Sequence, residues 1–154
     1  MMKVHAMERG FTLLELMIAF LLLAVFTAIA VPSFQSFIAR NKVKSASEQL
    51  QSALFYARSE AVKRSQTITL SCNGGGCQQG WVVATAASPT IQLAVQNAFN
   101  DSYLTISGGT AASINRNGRA TAAVSFNVAR TDQGTQRCVK LYLSGVTDVS
   151  DSGC

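Results

Sequence analysis

A run of about twenty apolar residues begins at Phe11 and ends before Pro32, and it holds a single charge, Glu15. At about 1.5 Å per residue, a helix over residues 11–31 covers about 31 Å, enough to cross the hydrocarbon of a membrane once. A lone carboxylate in such a helix costs about 2.5–3.5 kcal/mol on insertion scales, so a chain that keeps one has a use for it. A short polar leader, Met1-Met2-Lys3-Val4-His5-Ala6-Met7-Glu8-Arg9, precedes the run and closes with Gly10. An ordinary secretory signal is the rival reading, and Ala28-Ile29-Ala30 offers it a small-residue cleavage site. Three features oppose it. The run is nearer a membrane span than a signal core, Glu15 interrupts it, and a helical pattern continues past the supposed cut.

Composition bounds the rest. If residues 11–65 are mostly one helix, about ninety residues remain, which is one small domain. The 48% hydrophobic and 14% charged content is skewed by the N-terminal run, and beyond it the chain reads as a folded exported domain. The formal charge is +5; removing the leader deletes Lys3 and Arg9 against Glu8 and leaves +4, too mild to imply nucleic acid or anionic lipid. Lys3 and Arg9 before the span place the leader in the cytoplasm and the bulk of the chain beyond the membrane.

All four cysteines, Cys72, Cys77, Cys138 and Cys154, follow the apolar run, which points to disulfides formed in an oxidising compartment. Three pairings are possible. The favoured one joins Cys72 to Cys77 across Asn73-Gly74-Gly75-Gly76, which can turn tightly, and Cys138 to Cys154, which ties down the tail. A zinc site is disfavoured because no C-x-x-C pair exists.

The order of leader, glycine, phenylalanine and a glutamate at the fifth place of an apolar helix resembles the class III signal of type IV pilins and type II secretion pseudopilins. The resemblance implies that prepilin peptidase cuts between Gly10 and Phe11, that the new Phe11 amine is methylated, and that Glu15 pairs with that amine on a neighbouring subunit. An intramolecular pair is the simpler alternative, since residues four apart share a helix face. Pro32 also matches the pilin pattern and should kink or loosen the helix by removing a hydrogen bond.

Beyond Ser33 a helical period persists. Ala46, Leu50, Ala53, Leu54, Ala57 and Ala61 make one apolar stripe, with Arg40, Lys42, Lys44, Glu48, Arg58, Lys63 and Arg64 on the other faces. The stretch Ala53-Leu54-Phe55-Tyr56-Ala57-Arg58-Ser59-Glu60-Ala61-Val62 looks like the helix end of the GspH/FimT branch of minor pilins and pseudopilins. A plain amphipathic helix with Arg58 and Glu60 in solvent is the alternative. After Ser65 the chain reads as strands over 67–71, 81–85, 91–95, 103–107, 124–128 and 138–143, separated by Gly- and Asn-rich turns. The expected fold is α+β: a long N-terminal helix, membrane half then amphipathic half, packed on a small antiparallel β-sheet domain. Its parts are a leader (1–10), a filament-core helix (11–32), an amphipathic continuation (33–65) and a globular pilin domain (66–154).

Catalysis is not expected. The only histidine, His5, leaves with the leader, and no Walker-type loop or metal-ligand cluster is visible. Asp148 and Asp151 read as solvated residues of a polar tail. No cofactor or metal is implied. DNA is the live alternative partner, since some relatives of this family bind it through a Gly-Arg-x-Arg stretch near the C-terminus. Here Ser144-Gly145-Val146-Thr147-Asp148 keeps the glycine and lacks both arginines. Arg116 and Arg119 flank Asn117-Gly118, and Arg130, Arg137 and Lys140 could join them, but scattered solubilising charge is the favoured reading.

These readings make the chain similar to a minor pilin nearer the FimU type than the DNA-receptor type. The implied partners are other minor and major pilins, prepilin peptidase and the inner-membrane assembly platform. The implied location is the bacterial inner membrane, single-pass with a periplasmic C-terminal domain, and then the pilus. A minor pseudopilin of type II secretion is the runner-up, and a DNA-binding minor pilin for natural transformation the alternative from another class.

Overall fold

The computed structural model describes residues 11–154. The chain falls into two units, one reaching to Phe37 and the other spanning Ile38–Cys154, and each is taken by itself. A single helix, α1 (Leu13–Arg64, 52 residues), supplies the ordered backbone of the first and the spine of the second. It is unbroken through Pro32, so the expected loosening there does not interrupt the helix.

Among the described residues of the first unit, every one from Phe11 to Gln35 is exposed. In the second unit α1 buries Ala39, Val43, Ala46, Ser47, Leu50, Leu54, Ala57, Glu60 and Ala61, residues three or four apart on one face. Ala53, expected in that stripe, sits half-buried at its margin. Ser47 is tolerated inside because its hydroxyl donates to the Val43 carbonyl at 2.7 Å. The helix stops at Ser65, whose φ of 52° puts it in the left-handed region. Gln66 N–H then reaches the Ala61 carbonyl and Ser65 N–H the Val62 carbonyl, both at 3.2 Å, satisfying the last turn.

Eight strands follow: β1 (Ile68–Cys72), β2 (Trp81–Thr85), β3 (Gln92–Gln96), β4 (Leu104–Gly108), β5 (Ala111–Ile114), β6 (Val124–Arg130), β7 (Thr135–Leu141) and β8 (Thr147–Ser150). They form two four-stranded sheets in the orders β3-β2-β1-β5 and β4-β6-β7-β8. Every pairing is antiparallel. The expected α+β class, one long helix on small antiparallel sheets, is the fold observed.

The six expected strands are present with ends displaced by at most three residues, while β5 and β8 were not foreseen. Both are four residues long; β5 has one β-branched side chain, Ile114, and β8 has two, Thr147 and Val149, too short a run to mark a strand alone. Pairing partners hold them where propensity does not: β5 lies along β1 with Ile114 opposite Ile68, and β8 along β7 with Asp148 opposite Lys140. Asp148 is therefore a strand residue and not part of a loose tail.

One core joins helix and sheets. Leu50 and Leu54 share one buried cluster with Ile68, Leu70, Val83 and Ile114 of the first sheet and Ile106, Phe126, Val128, Val139 and Leu141 of the second. Each fully buried side chain of this size contributes about 1.5–3 kcal/mol relative to exposure.

Candidate functional site

The helix start is the first element to place. Thr12 caps it: its Oγ1 accepts the Glu15 N–H at 3.2 Å, and its carbonyl accepts the Leu16 N–H at 3.2 Å. Thr12-Leu13-Leu14-Glu15 is therefore a Thr-x-x-Glu capping sequence, and the reading that treated Glu15 only as a charge missed this. A carboxylate in the first turn also suits the positive end of the helix dipole. Glu15 thus has a local role besides any partner. Gly10, His5 and the leader cations lie outside the described residues.

Phe11 (84% exposed) just before α1, and Phe20, Phe26, Ile29 and Phe34 along it, are without cover. By length and composition this segment is able to cross a membrane once. A contiguous apolar surface of that extent is not left in water; it needs lipid or the like surfaces of other helices.

The β-domain is stapled twice, Cys72 to Cys77 and Cys138 to Cys154, with Cα separations of 4.5 and 5.0 Å. The first closes the Asn73–Gly76 loop that leads into a 3₁₀ turn, Cys77–Gln79. The second fastens the C-terminus to β7, whose Cys138 is fully buried. Among the described residues no cluster of metal-binding side chains occurs.

Glu60 departs from the amphipathic expectation. It is buried, 6% exposed, with Arg64 Nε at 2.5 Å and Lys63 Nζ at 3.6 Å. The Arg64 hydrogen bond and the charges of Lys63 and Arg64 outweigh desolvation and hold its carboxyl below the usual carboxylate range. The signal was present in the sequence as an i, i+4 Glu–Arg pair; its burial was not.

The arginines divide into two sets. Arg130, on β6, is drawn in by Asp101 (3.6 Å) and Asp132 (2.9 Å) and lies 5.6 Å from the Tyr103 ring centre. Arg137 is paired with Asp151 at 2.5 Å, and Lys140 stands opposite Asp148. Those three are engaged by carboxylates or opposed by one, so local pairing stands in place of the pooling with Arg116 and Arg119 that the sequence allowed but did not favour. Asp151, 82% exposed, keeps the solvated character read from the sequence and adds the pair with Arg137.

Arg116 and Arg119 ride an exposed turn. Asn115 Oδ1 accepts the Asn117 and Arg119 N–H groups at 3.0 and 3.1 Å, and Gly118 N–H donates to the Asn115 carbonyl at 2.8 Å. That turn packs against the β7–β8 turn so closely that a Cβ on Gly145 (φ 77°) would stand 1.9 Å from the Gly118 carbonyl oxygen and 3.2 Å from Arg58 Nε. Gly145 therefore has a packing reason of its own. The same contact sets Arg58 beside the turn that carries Arg116 and Arg119.

One helix, apolar and uncovered over its first part and buried in a two-sheet β-domain over its second, defines a pilin-like subunit. Residues 46–145 match the family model described as type II transport protein GspH, and residues 5–31 match the prokaryotic N-terminal methylation motif. The chain belongs to the GspH family, whose members are structural pilins and pseudopilins. In fold it is similar to the type IV minor pilin FimU of Pseudomonas aeruginosa strain PAO1 (TM-score 0.64, 24% identity, 74% of this chain and 92% of that one). It is also similar to the minor pseudopilin EpsH of the Vibrio cholerae type 2 secretion system (TM-score 0.54, 11% identity, 71% of this chain and 96% of that one). No curated protein matches the chain.

Proposed function

We propose that this chain is a minor pilin of a type IV pilus that acts by assembly. Prepilin peptidase cuts between Gly10 and Phe11, the Phe11 amine is methylated, and the helix leaves the inner membrane to join the filament bundle. The β-domain, periplasmic before assembly, contacts other pilins near the tip. The observation that carries the reading is the fully exposed apolar helix face with one carboxylate, Glu15, in its first turn. In an apolar bundle an unpaired carboxylate and an unpaired amine are both costly, and pairing Glu15 with a neighbour's Phe11 amine neutralises the two together. A minor pseudopilin of type II secretion would use the same chemistry in another machine, and the assembly partners recovered with the chain separate the two.

Glu15→Val tests the mechanism. It should leave cleavage and membrane residence intact, since an apolar side chain is favoured there, but deplete the subunit from sheared filaments. Normal amounts of the variant in filaments would refute the pairing role.

A second reading, DNA binding, rests on Arg58 lying beside the exposed turn that carries Arg116 and Arg119. Dispersed phosphate contacts of this kind are salt-sensitive, each contributing about −0.9 to the slope of log affinity against log salt. We expect only weak duplex binding at about 0.15 M salt. Sub-micromolar binding there, abolished by Arg119→Ala, would instead make the chain a DNA receptor.

A further inference from the structure

The net charge of the second unit is gathered at one pole. Around the last turns of α1 stand Arg58, Lys63, Arg64, Arg116 and Arg119 against the single carboxylate of Glu60. The rest of residues 38–154 carries six cationic side chains against five acidic ones. Lys63 and Arg64 are held by Glu60, as Arg130 and Arg137 are held by Asp101, Asp132 and Asp151. Among the described residues, Arg58, Arg116 and Arg119 are paired with no carboxylate.

The same pole exposes apolar side chains on a fixed frame. The β7–β8 turn presents Tyr142 (46% exposed), Leu143 (52%) and Val146 (47%). Its backbone is closed by the Tyr142 N–H on the Val146 carbonyl at 2.9 Å and the Gly145 N–H on the Tyr142 carbonyl at 2.8 Å. A Cβ on Gly118 would lie 3.1 Å from Val62 Cγ2 and 3.3 Å from Arg58 Nε, so helix and both turns meet at this point. A surface already in place costs little ordering on binding, and arginine with tyrosine is the pairing that protein interfaces concentrate at their centres.

The mixture of side chains separates the candidate partners. A phosphate backbone would answer the arginines and leave Leu143 and Val146 uncovered. A protein surface that sets a carboxylate beside an apolar side chain answers both. We propose that this pole docks such a surface. Carboxylates of the partner accept from Arg58, Arg116 and Arg119, and an apolar side chain between them covers Tyr142, Leu143 and Val146. Guanidinium groups suit this role because their planar fork matches a carboxylate. Within the assembly proposed above, the partner is another filament subunit, and only its identity rests on that reading.

The test is photo-crosslinking of the full chain in its own host, with Ser144→p-benzoylphenylalanine at the exposed tip of the β7–β8 turn. A protein adduct should form, and its joined peptide should contain Asp or Glu beside an apolar residue. Reversing Arg116→Glu and Arg119→Glu together should cut its yield about tenfold, since like charges across an interface repel. Changing the partner's carboxylate to arginine should then restore it, which a merely misfolded variant would not allow. Leu143→Ser should lower the yield with the arginines intact. The proposal is overturned by a nuclease-sensitive adduct, by an adduct to lipid, or by no adduct. It is overturned equally by a yield indifferent to charge reversal, or by failure of the partner's reversal to restore it. A charge-dependent adduct to a protein that is no pilin would uphold this docking and overturn the pilus reading instead.

Discussion

Glu60 is the residue whose environment departs furthest from its sequence pattern. A carboxylate buried against the helix spine is stable only while Arg64 and Lys63 satisfy it. Because its folded pKa is lowered, its stabilisation is present in full above the unfolded value of about 4.3 and is lost as pH falls through the lower folded value. Glu60→Gln should therefore lower the melting temperature at neutral pH, and the gap to the parent should close as the medium is acidified below pH ~4. An unchanged gap across that range would mean that packing, not charge, holds the site. Glu15 and Gly145 give the same lesson differently. Their residue types were legible as a lone charge and a retained glycine. Their local reasons, a helix-capping sequence and a backbone contact with Gly118, became visible only when the neighbouring turns were placed.

At the scale of elements, the helix was the most legible part. Its apolar stripe at spacings of three and four residues marks Ala46, Leu50, Leu54, Ala57 and Ala61, all of which are buried. Strands with β-branched or aromatic alternation, such as Trp81–Thr85 and Val124–Arg130, were legible for the same reason. Ala111–Ile114 and Thr147–Ser150 were not, because their strand state is imposed by pairing, with β1 for the first and with β7, which carries the Cys138–Cys154 bridge, for the second. The two disulfides should differ in weight. In the chain-entropy model a loop of about fifteen residues is worth roughly 3 kcal/mol, and a shorter one less. The sequence separations are 16 and 5. Cys154→Ser should accordingly lower the melting temperature by ~10 °C or more and by more than Cys72→Ser does, as read by circular dichroism. The reverse order would show that the glycine-rich loop carries the domain's stability.

For the whole molecule, one sequence holds two solvents in view. Residues 11–37 present an apolar surface that only lipid or other helices satisfy, and residues 38–154 close their own core. Under the function proposed above, a membrane and a filament bundle would each cover this same helix face. What the sequence left illegible at this scale is the pairing of surface charge. Arg130 and Arg137 looked available for a ligand, yet Asp101, Asp132 and Asp151 take them in three dimensions.

The central claim is that the chain is processed as a prepilin, and the mass of its mature N-terminus tests that most directly. Protein extracted from the membrane of its own host should begin at Phe11 and carry one N-methyl group. A chain beginning at Val31, cut after Ala30 as an ordinary signal peptide, would contradict the claim, and so would a chain that retains Met1.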